Sequence, residues 1–295
     1  MDKHFMLIVN PVAGKGQAKT VLTSLLSEFA KHDYRATVYM TTKKGDATIY
    51  AREHGEEYEL LVCLGGDGTL SEVVSGLMDL EKWPKIGYVP MGTTNDVAFC
   101  LGLPKDPEAA VRNIVKGETI PYDIGLFGGE YFTYIAAFGA FTEVSYATPQ
   151  ETKKALGHTA YLLEGVKSLP KLTTSHAKVF YDDGEVEGDF IFGSISNTTR
   201  VAGIMKLNPQ TVLFHDGLFE VLLVRKPKNV GDLNGIITNI LKQKYDHESV
   251  VYLHTKEVRF LFEKETSWTR DGENGGSFTE IRAKNIKHGV EIIVS

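Results

Sequence analysis

Apolar residues in the first third of the chain come in short runs broken by polar turns. Phe5 to Val9 is an unbroken apolar run ending in Asn10-Pro11, as in a strand buried on both faces. Val21, Leu22, Leu25, Leu26 and Phe29 then recur at helical spacing, which predicts an amphipathic helix over Ala18–Ala30. From Arg35 to Met40 the pattern turns strand-like, with Ala36, Val38 and Met40 alternating against polar neighbours. Gly45-Asp46 opens a second helix that stops at Gly55, and Leu60 to Leu64 is another buried strand running into Gly65-Gly66. A helix through Leu70, Val73, Val74 and Leu77 follows, then a strand from Ile86 to Val89. Asp106-Pro107-Glu108 supplies a cap, a first-turn proline and an early acid, and Gly117 closes that helix. Strands separated by helices predict a parallel sheet with helices on both faces.

Beyond about Tyr122 the pattern changes. Ile124–Phe127 and Tyr131–Ile135 flank Gly128-Gly129, and Lys178–Tyr181 and Val186–Phe192 flank Asp182-Asp183-Gly184, two hairpin signals. Further β-rich runs are Phe219–Val224, Val250–Leu253, Val258–Phe262 and Val290–Val294. Helical stretches at Thr159–Leu169 and Val230–Lys242 interrupt them. This half is expected to be an antiparallel sandwich or barrel. The expected division is an α/β domain at 1–122 and a β-rich domain at 123–285, with residues 286–295 free to return to the first. No linker separates the halves, so they are expected to pack closely around a cleft, a favoured place for small ligands.

A length of 295 residues suits about two domains, and 42% apolar with 24% charged residues is ordinary for a chain with a sizeable core. The 32 Lys and Arg against 38 Asp and Glu give a net charge of −6, which argues against a dedicated nucleic-acid binder. Cys63 and Cys100 have no CxxC spacing and fit a reducing, cytoplasmic setting. No apolar stretch reaches the ~18 residues of a spanning helix, so any membrane contact is expected to be peripheral.

The informative loops of the first half all follow predicted strands, where open α/β sheets bind ligands. They are Asn10-Pro11-Val12-Ala13-Gly14-Lys15-Gly16, Gly65-Gly66-Asp67-Gly68-Thr69 and Gly92-Thr93-Thr94-Asn95-Asp96. Glycines let backbone amides approach an anion, and a following helix adds a favourable dipole, so polyphosphate is the natural guest. The second loop is the most specific, since its five residues should arise by chance roughly once in several thousand chains of this length. No GxxxxGK[ST] exists. Lys19 and the Met40-Thr41 strand end spoil a dinucleotide fingerprint.

Taken together, these residues resemble the diacylglycerol kinase catalytic family of lipid kinases, especially the compact bacterial type. The resemblance rests on Asn10-Pro11 with Gly14, Thr41 before Gly45-Asp46-Ala47, the Gly65–Thr69 loop, Gly92–Asp96 with Ala98, Asp216-Gly217 and Asp271-Gly272-Glu273. It covers nearly the whole chain in order. It implies ATP in a cleft between a nucleotide-binding α/β domain and a β-rich lipid-binding domain. ATP contacts implied by position are Asn10, Pro11, Val12, Ala13, Gly14 and Thr41, then Gly66, Asp67, Gly68, Thr69, Leu70, Ser71 and Glu72, with Thr93. A structural magnesium is implied at Asp216 with the backbone carbonyls of Leu213 and Leu218, and Asp271 matches the general base. Ser71 stands where Asn is common in the family, and Val97 where Phe is more usual.

The residues themselves make sense of the Asp-Gly-Glu segment. In an extended chain Asp271 and Glu273 would face one side, and two carboxylates so close repel as anions, which suits one of them to accept a proton. Asp67 with a second magnesium would offset charge at the β- and γ-phosphates. The nine histidines form no metal constellation, and Lys15, Lys43 and Lys44 stand near the phosphate loops. The expected reaction is γ-phosphoryl transfer from ATP to a lipid hydroxyl, diacylglycerol first, at the inner face of the membrane. The helix face of Tyr161, Leu162, Leu163 and Val166 is a candidate contact with the bilayer. A sphingoid or other lipid, a soluble substrate of the NAD kinase type, and an idle lipid-binding module are the alternatives. The sequence leaves a homodimer open.

Overall fold

A computed structural model describes residues 3–140, 173–201, 205–207 and 212–294. The predicted helix Thr159–Leu169, with the Tyr161–Val166 face, lies outside the described residues. In the first half, β1 (Lys3–Val9) lies between β2 (Tyr34–Met40) and β3 (Leu60–Gly65), and β4 (Lys85–Pro90) follows β3. All three pairings are parallel. Alternate residues of β1 serve opposite faces. Phe5, Leu7 and Val9 pack with α1 (Gln17–Ala30) and α5 (Pro107–Lys116), and Met6 and Ile8 with α2 (Asp46–His54), α3 (Asp67–Leu77) and α4 (Asp96–Cys100).

The alternation read in β2 is present with its exposed side in an unexpected place. Val38 and Met40 are 37% and 41% exposed, whereas Tyr39 stacks on Tyr50 and His54 of α2. As the edge strand, β2 has one neighbour, so the larger ring takes the helix-facing side.

The second half contains β5 (Glu118–Phe127), β6 (Glu130–Phe132), β7 (Ile135–Gly139), β8 (Ser175–Tyr181) and β9 (Gly184–Ser196). The short pair β10 (Arg200–Val201) and β11 (Met205–Lys206) precedes β12 (Phe219–Arg225), α6 (Val230–Leu241) and β13 (Val250–Thr255). Two long strands close the chain, β14 (Glu257–Arg270) and β15 (Glu273–Val294). Pairings among β5–β15 are antiparallel, and β9 and β14 each pair with both β7 and β8, which closes a ring. Phe138, Phe260 and Trp268 pack together there, with ring centroids 4.8 Å (Phe138–Trp268) and 5.2 Å (Phe260–Trp268) apart.

The halves share strands rather than a linker. β15 pairs with β14, turns through a register shift between Ile286 and Val290, and reaches β4 by the parallel pairing Ile292↔Ile86. One hydrogen-bonded path of strands therefore runs from β2 to β13. The predicted strand Tyr131–Ile135 is split at Thr133-Tyr134, and that interruption belongs to the site.

Candidate active site

A cleft of ≈1110 Å³ lies between the halves. Its floor is made by the strand ends of the α/β half. Asn10 ties two loops together, its Nδ2 donating to Thr69 Oγ1 at 3.0 Å while its Oδ1 accepts the Val12 N–H at 3.2 Å. Gly66 and Gly92 meet back to back: a Cβ on Gly92 would stand 2.7 Å from the Gly66 Cα, so neither loop has room for a side chain. Asn95 holds the third loop, its Oδ1 accepting the Gly92 N–H at 2.8 Å and its Nδ2 donating to the Gly92 carbonyl at 2.9 Å.

Beside Thr41, the Asp46 carboxylate accepts from Thr42 N–H (2.7 Å), Thr42 Oγ1 (2.8 Å) and Lys43 N–H (3.0 Å). The Thr42 bonds hold the carboxyl below its ordinary range. The floor is thus a set of stiff turns edged by Lys15, Lys43 and Lys44.

The opposite wall is the hairpin turn between β14 and β15. Arg270 pairs with Glu273, and Asp271 and Gly272 fill the two turn positions with φ of 46° and 79°. A two-residue turn of this hand favours Asp-Gly. The extended geometry expected for Asp271 and Glu273 is therefore corrected: the chain reverses at Asp271. Both residues still line the cleft, but Glu273 is solvated and pairs with Lys44 at 3.0 Å, whereas Asp271 is buried. The Asp271 Oδ1 accepts from Tyr134 N–H (3.0 Å) and Ile135 N–H (3.2 Å). Its Oδ2 accepts from Thr133 N–H (2.7 Å), Thr133 Oγ1 (2.8 Å) and Ser71 Oγ (2.7 Å). The break between β6 and β7 follows from this, since those amides face a carboxylate instead of continuing a ladder.

Asp67 stands differently from expectation. Its Oδ2 accepts the Asp96 N–H at 2.9 Å and its Oδ1 the Val97 N–H at 3.3 Å, so it links the second loop to the start of α4. It is not among the cleft-lining residues. Burial raises its pKa, and the charge of Asp271 adds to the rise. Leu70 points into the core, 1% exposed, and Glu72 accepts the Gly45 N–H at 3.0 Å, bracing one loop against another. Asn10, Pro11, Val12, Ala13, Gly14, Thr41, Gly66, Gly68, Thr69, Ser71, Glu72 and Thr93 all line the cleft. Sequence reading missed Thr133–Ile135, Glu130, Tyr131 and Arg270. Arg270, ion-paired with Glu130, could have been suspected from its place beside Asp271.

The expected magnesium residues form a second region. Asp216 Oδ1 accepts the Leu218 N–H at 2.9 Å, and Leu213 is 48% exposed. Asp123, fully buried, accepts the Gly217 N–H at 2.6 Å and the His288 N–H at 2.7 Å. Glu220 is wholly buried, with His254 Nε2 4.0 Å from its Oε1, and burial, with Asp216 and Asp123 nearby, pushes its pKa up to about 9. The carboxylates of Asp216, Asp123 and Glu220, gathered with backbone carbonyls, are the oxygen donors that suit a hard, hydrated cation. Among the described residues, no group of three or more His, Cys, Asp or Glu side chains is close enough to hold a metal, so backbone carbonyls and water would have to complete the shell.

Comparison with known proteins places these features. Residues 4–127 match the model of the diacylglycerol kinase catalytic domain. A diacylglycerol kinase of Staphylococcus carnosus is 36% identical over 99% of this chain and 95% of its own. One of Bacillus subtilis is 34% identical over 93% of this chain and 91% of its own. The solved structure of a candidate diacylglycerol kinase from Bacillus anthracis superposes with a TM-score of 0.84 at 26% identity, covering 100% of this chain and 95% of the other. The chain belongs to the diacylglycerol kinase family.

Proposed function

We propose that this lipid kinase transfers the γ-phosphoryl group of ATP to the free hydroxyl of diacylglycerol, giving phosphatidic acid. The single observation that carries the site assignment is the Ser71–Asp271 hydrogen bond, which joins the glycine-loop floor to the carboxylate of the opposite half inside one cleft. In this reading residues 1–122 hold the nucleotide and 123–285 the lipid, with the β15 end serving the first unit.

Phosphoryl transfer passes through a loose transition state, so positioning and charge outweigh strong base catalysis. The amides of the loops at Gly14, Gly66–Thr69 and Gly92-Thr93 cradle the triphosphate, and Lys15 and Lys43 face its charge. Asp67 fixes α4, and with it the third loop. Asp271, held by three backbone N–H groups, accepts the acceptor proton from a fixed position. Asp216, with the carbonyls of Leu213 and Leu218, would hold a magnesium whose charge offsets the carboxylates gathered there. Among the described residues no helix is long and apolar enough to cross a membrane. The lipid is met at the membrane surface, on the inner face.

Radiolabelled-ATP assays over diacylglycerol, monoacylglycerol, sphingosine, ceramide and NAD test the assignment. Labelled phosphatidic acid from diacylglycerol is the expected product. Preferential labelling of sphingosine or NAD would overturn the acceptor, and no labelling of any lipid would overturn the kinase reading.

A further inference from the structure

Asp271 gives an incoming hydroxyl little direct access, because five donors already surround its two oxygens. Three are backbone N–H groups of Thr133, Tyr134 and Ile135, fixed by the turn that the carboxylate itself organises. The other two are hydroxyls, and the structure separates them. Thr133 is 2% exposed and is not among the cleft-lining residues. Ser71 lines the cleft, in the first turn and a half of α3, directly after the loop that begins that helix. Among the described donors to Asp271, Ser71 is the one side chain that touches both the carboxylate and the open cleft. Its Oγ, 2.7 Å from Oδ2, gives its own proton to Asp271 and leaves its lone pairs for an incoming O–H.

On the reading of the site proposed above, we propose that Ser71 is a catalytic residue that relays the acceptor proton to Asp271. The lipid hydroxyl donates to Ser71 Oγ while the Ser71 hydroxyl donates to Asp271 Oδ2. As the lipid oxygen bonds to the γ-phosphorus, the bond from that phosphorus to the β,γ-bridging oxygen breaks and ADP leaves with the electron pair. The lipid proton passes to Ser71 Oγ, and the Ser71 proton passes to Asp271. The phosphomonoester, ADP, neutral Asp271 and unchanged Ser71 balance the step. Asp271 then returns its proton to water. No charge rests on the serine.

The test uses single-turnover kinetics on the full chain with diacylglycerol vesicles, in mixtures of light and heavy water. Ser71→Ala should slow the phosphoryl step by about 30-fold while ATP affinity stays within about threefold. Ser71→Thr, which restores a hydroxyl, should recover most of the rate. The dependence of rate on deuterium fraction should be curved for the unaltered chain, as two moving protons require, and linear for Ser71→Ala. A Ser71→Ala rate within about threefold of the unaltered chain would overturn the relay, as would a linear dependence in the unaltered chain. Loss of rate that Ser71→Thr fails to restore would make the serine a structural tie and also overturn it. An unaltered chain that labels no lipid would instead defeat the kinase reading, and the relay with it.

Discussion

The two halves of the molecule build their shares of the cleft by different means. The α/β half offers backbone: three glycine-containing turns at the ends of parallel strands, with Gly66 and Gly92 pressed together and side chains used as braces. The β half offers one carboxylate, turned inward at the tip of a hairpin and gripped by the chain opposite. Asp67 and Asp271 express the contrast. Each stands beside glycine, each accepts backbone N–H groups, and they are near enough for the charge of Asp271 to raise the pKa of Asp67. Asp67 holds one loop to another; Asp271 lines the open cleft. Neighbouring glycines therefore mark a place where the backbone bends, and the partner of the bend decides what the acid does.

The comparison breaks most readily at Asp271. Asp271→Asn should lower kcat by about 1000-fold with the KM for ATP within about threefold, whereas Asp67→Asn should cost about tenfold, shared between kcat and KM. Steady-state kinetics of both variants decide the matter, and equal losses would erase the distinction. Gly66→Val comes next. The added methyls collide with the Gly92 backbone, a clash of about 1–3 kcal/mol, which should weaken ATP binding by about 10- to 100-fold in calorimetry. Full ATP affinity in that variant would mean that the glycine turns are not the floor of the site.

Glu220 probes the β half through pH. In the unfolded chain this acid ionises near pH 4.5; folded, it holds its proton to about pH 9. Between those values the unfolded state gives up a proton that the folded state keeps, so rising pH favours unfolding. Stability from this group is complete below pH 4.5 and declines up to pH 9. Glu220→Gln should remove that decline and, at pH 7.5 in EDTA, gain about 1–3 kcal/mol in urea melts. A parallel pH dependence in both chains would show that the acid is solvated. The smallest effect is expected at the cleft mouth. Lys44→Ala breaks an exposed pair with Glu273 and should change stability by less than about 0.5 kcal/mol. A larger loss in the same melts would make that pair a true clasp between the halves.

Much of this is legible in the order of residues. Phe5–Val9, Leu60–Leu64 and Ile86–Val89 are strands because a sheet covered on both faces needs unbroken apolar runs, and the Asp106-Pro107 helix start is read locally. The same grammar puts the loops Asn10–Gly14 and Gly66–Thr69 at strand ends. Less visible were the polar stretches of β14 and β15 beyond Phe262 and between Glu273 and Ile286. Strands with one wetted face carry too little apolar pattern to stand out.

Which segments bend, which are buried and which kinase family the motifs resemble follow from residue order, because glycine, proline and apolar spacing act within a few residues. Packing in three dimensions is what turns the amides of Thr133–Ile135 toward Asp271, sets Asp67 against α4 and stands Ser71 between carboxylate and cleft. Those bonds join residues up to 200 positions apart. A hydrogen bond depends on distance and direction in space, and neither is written in the order of the chain.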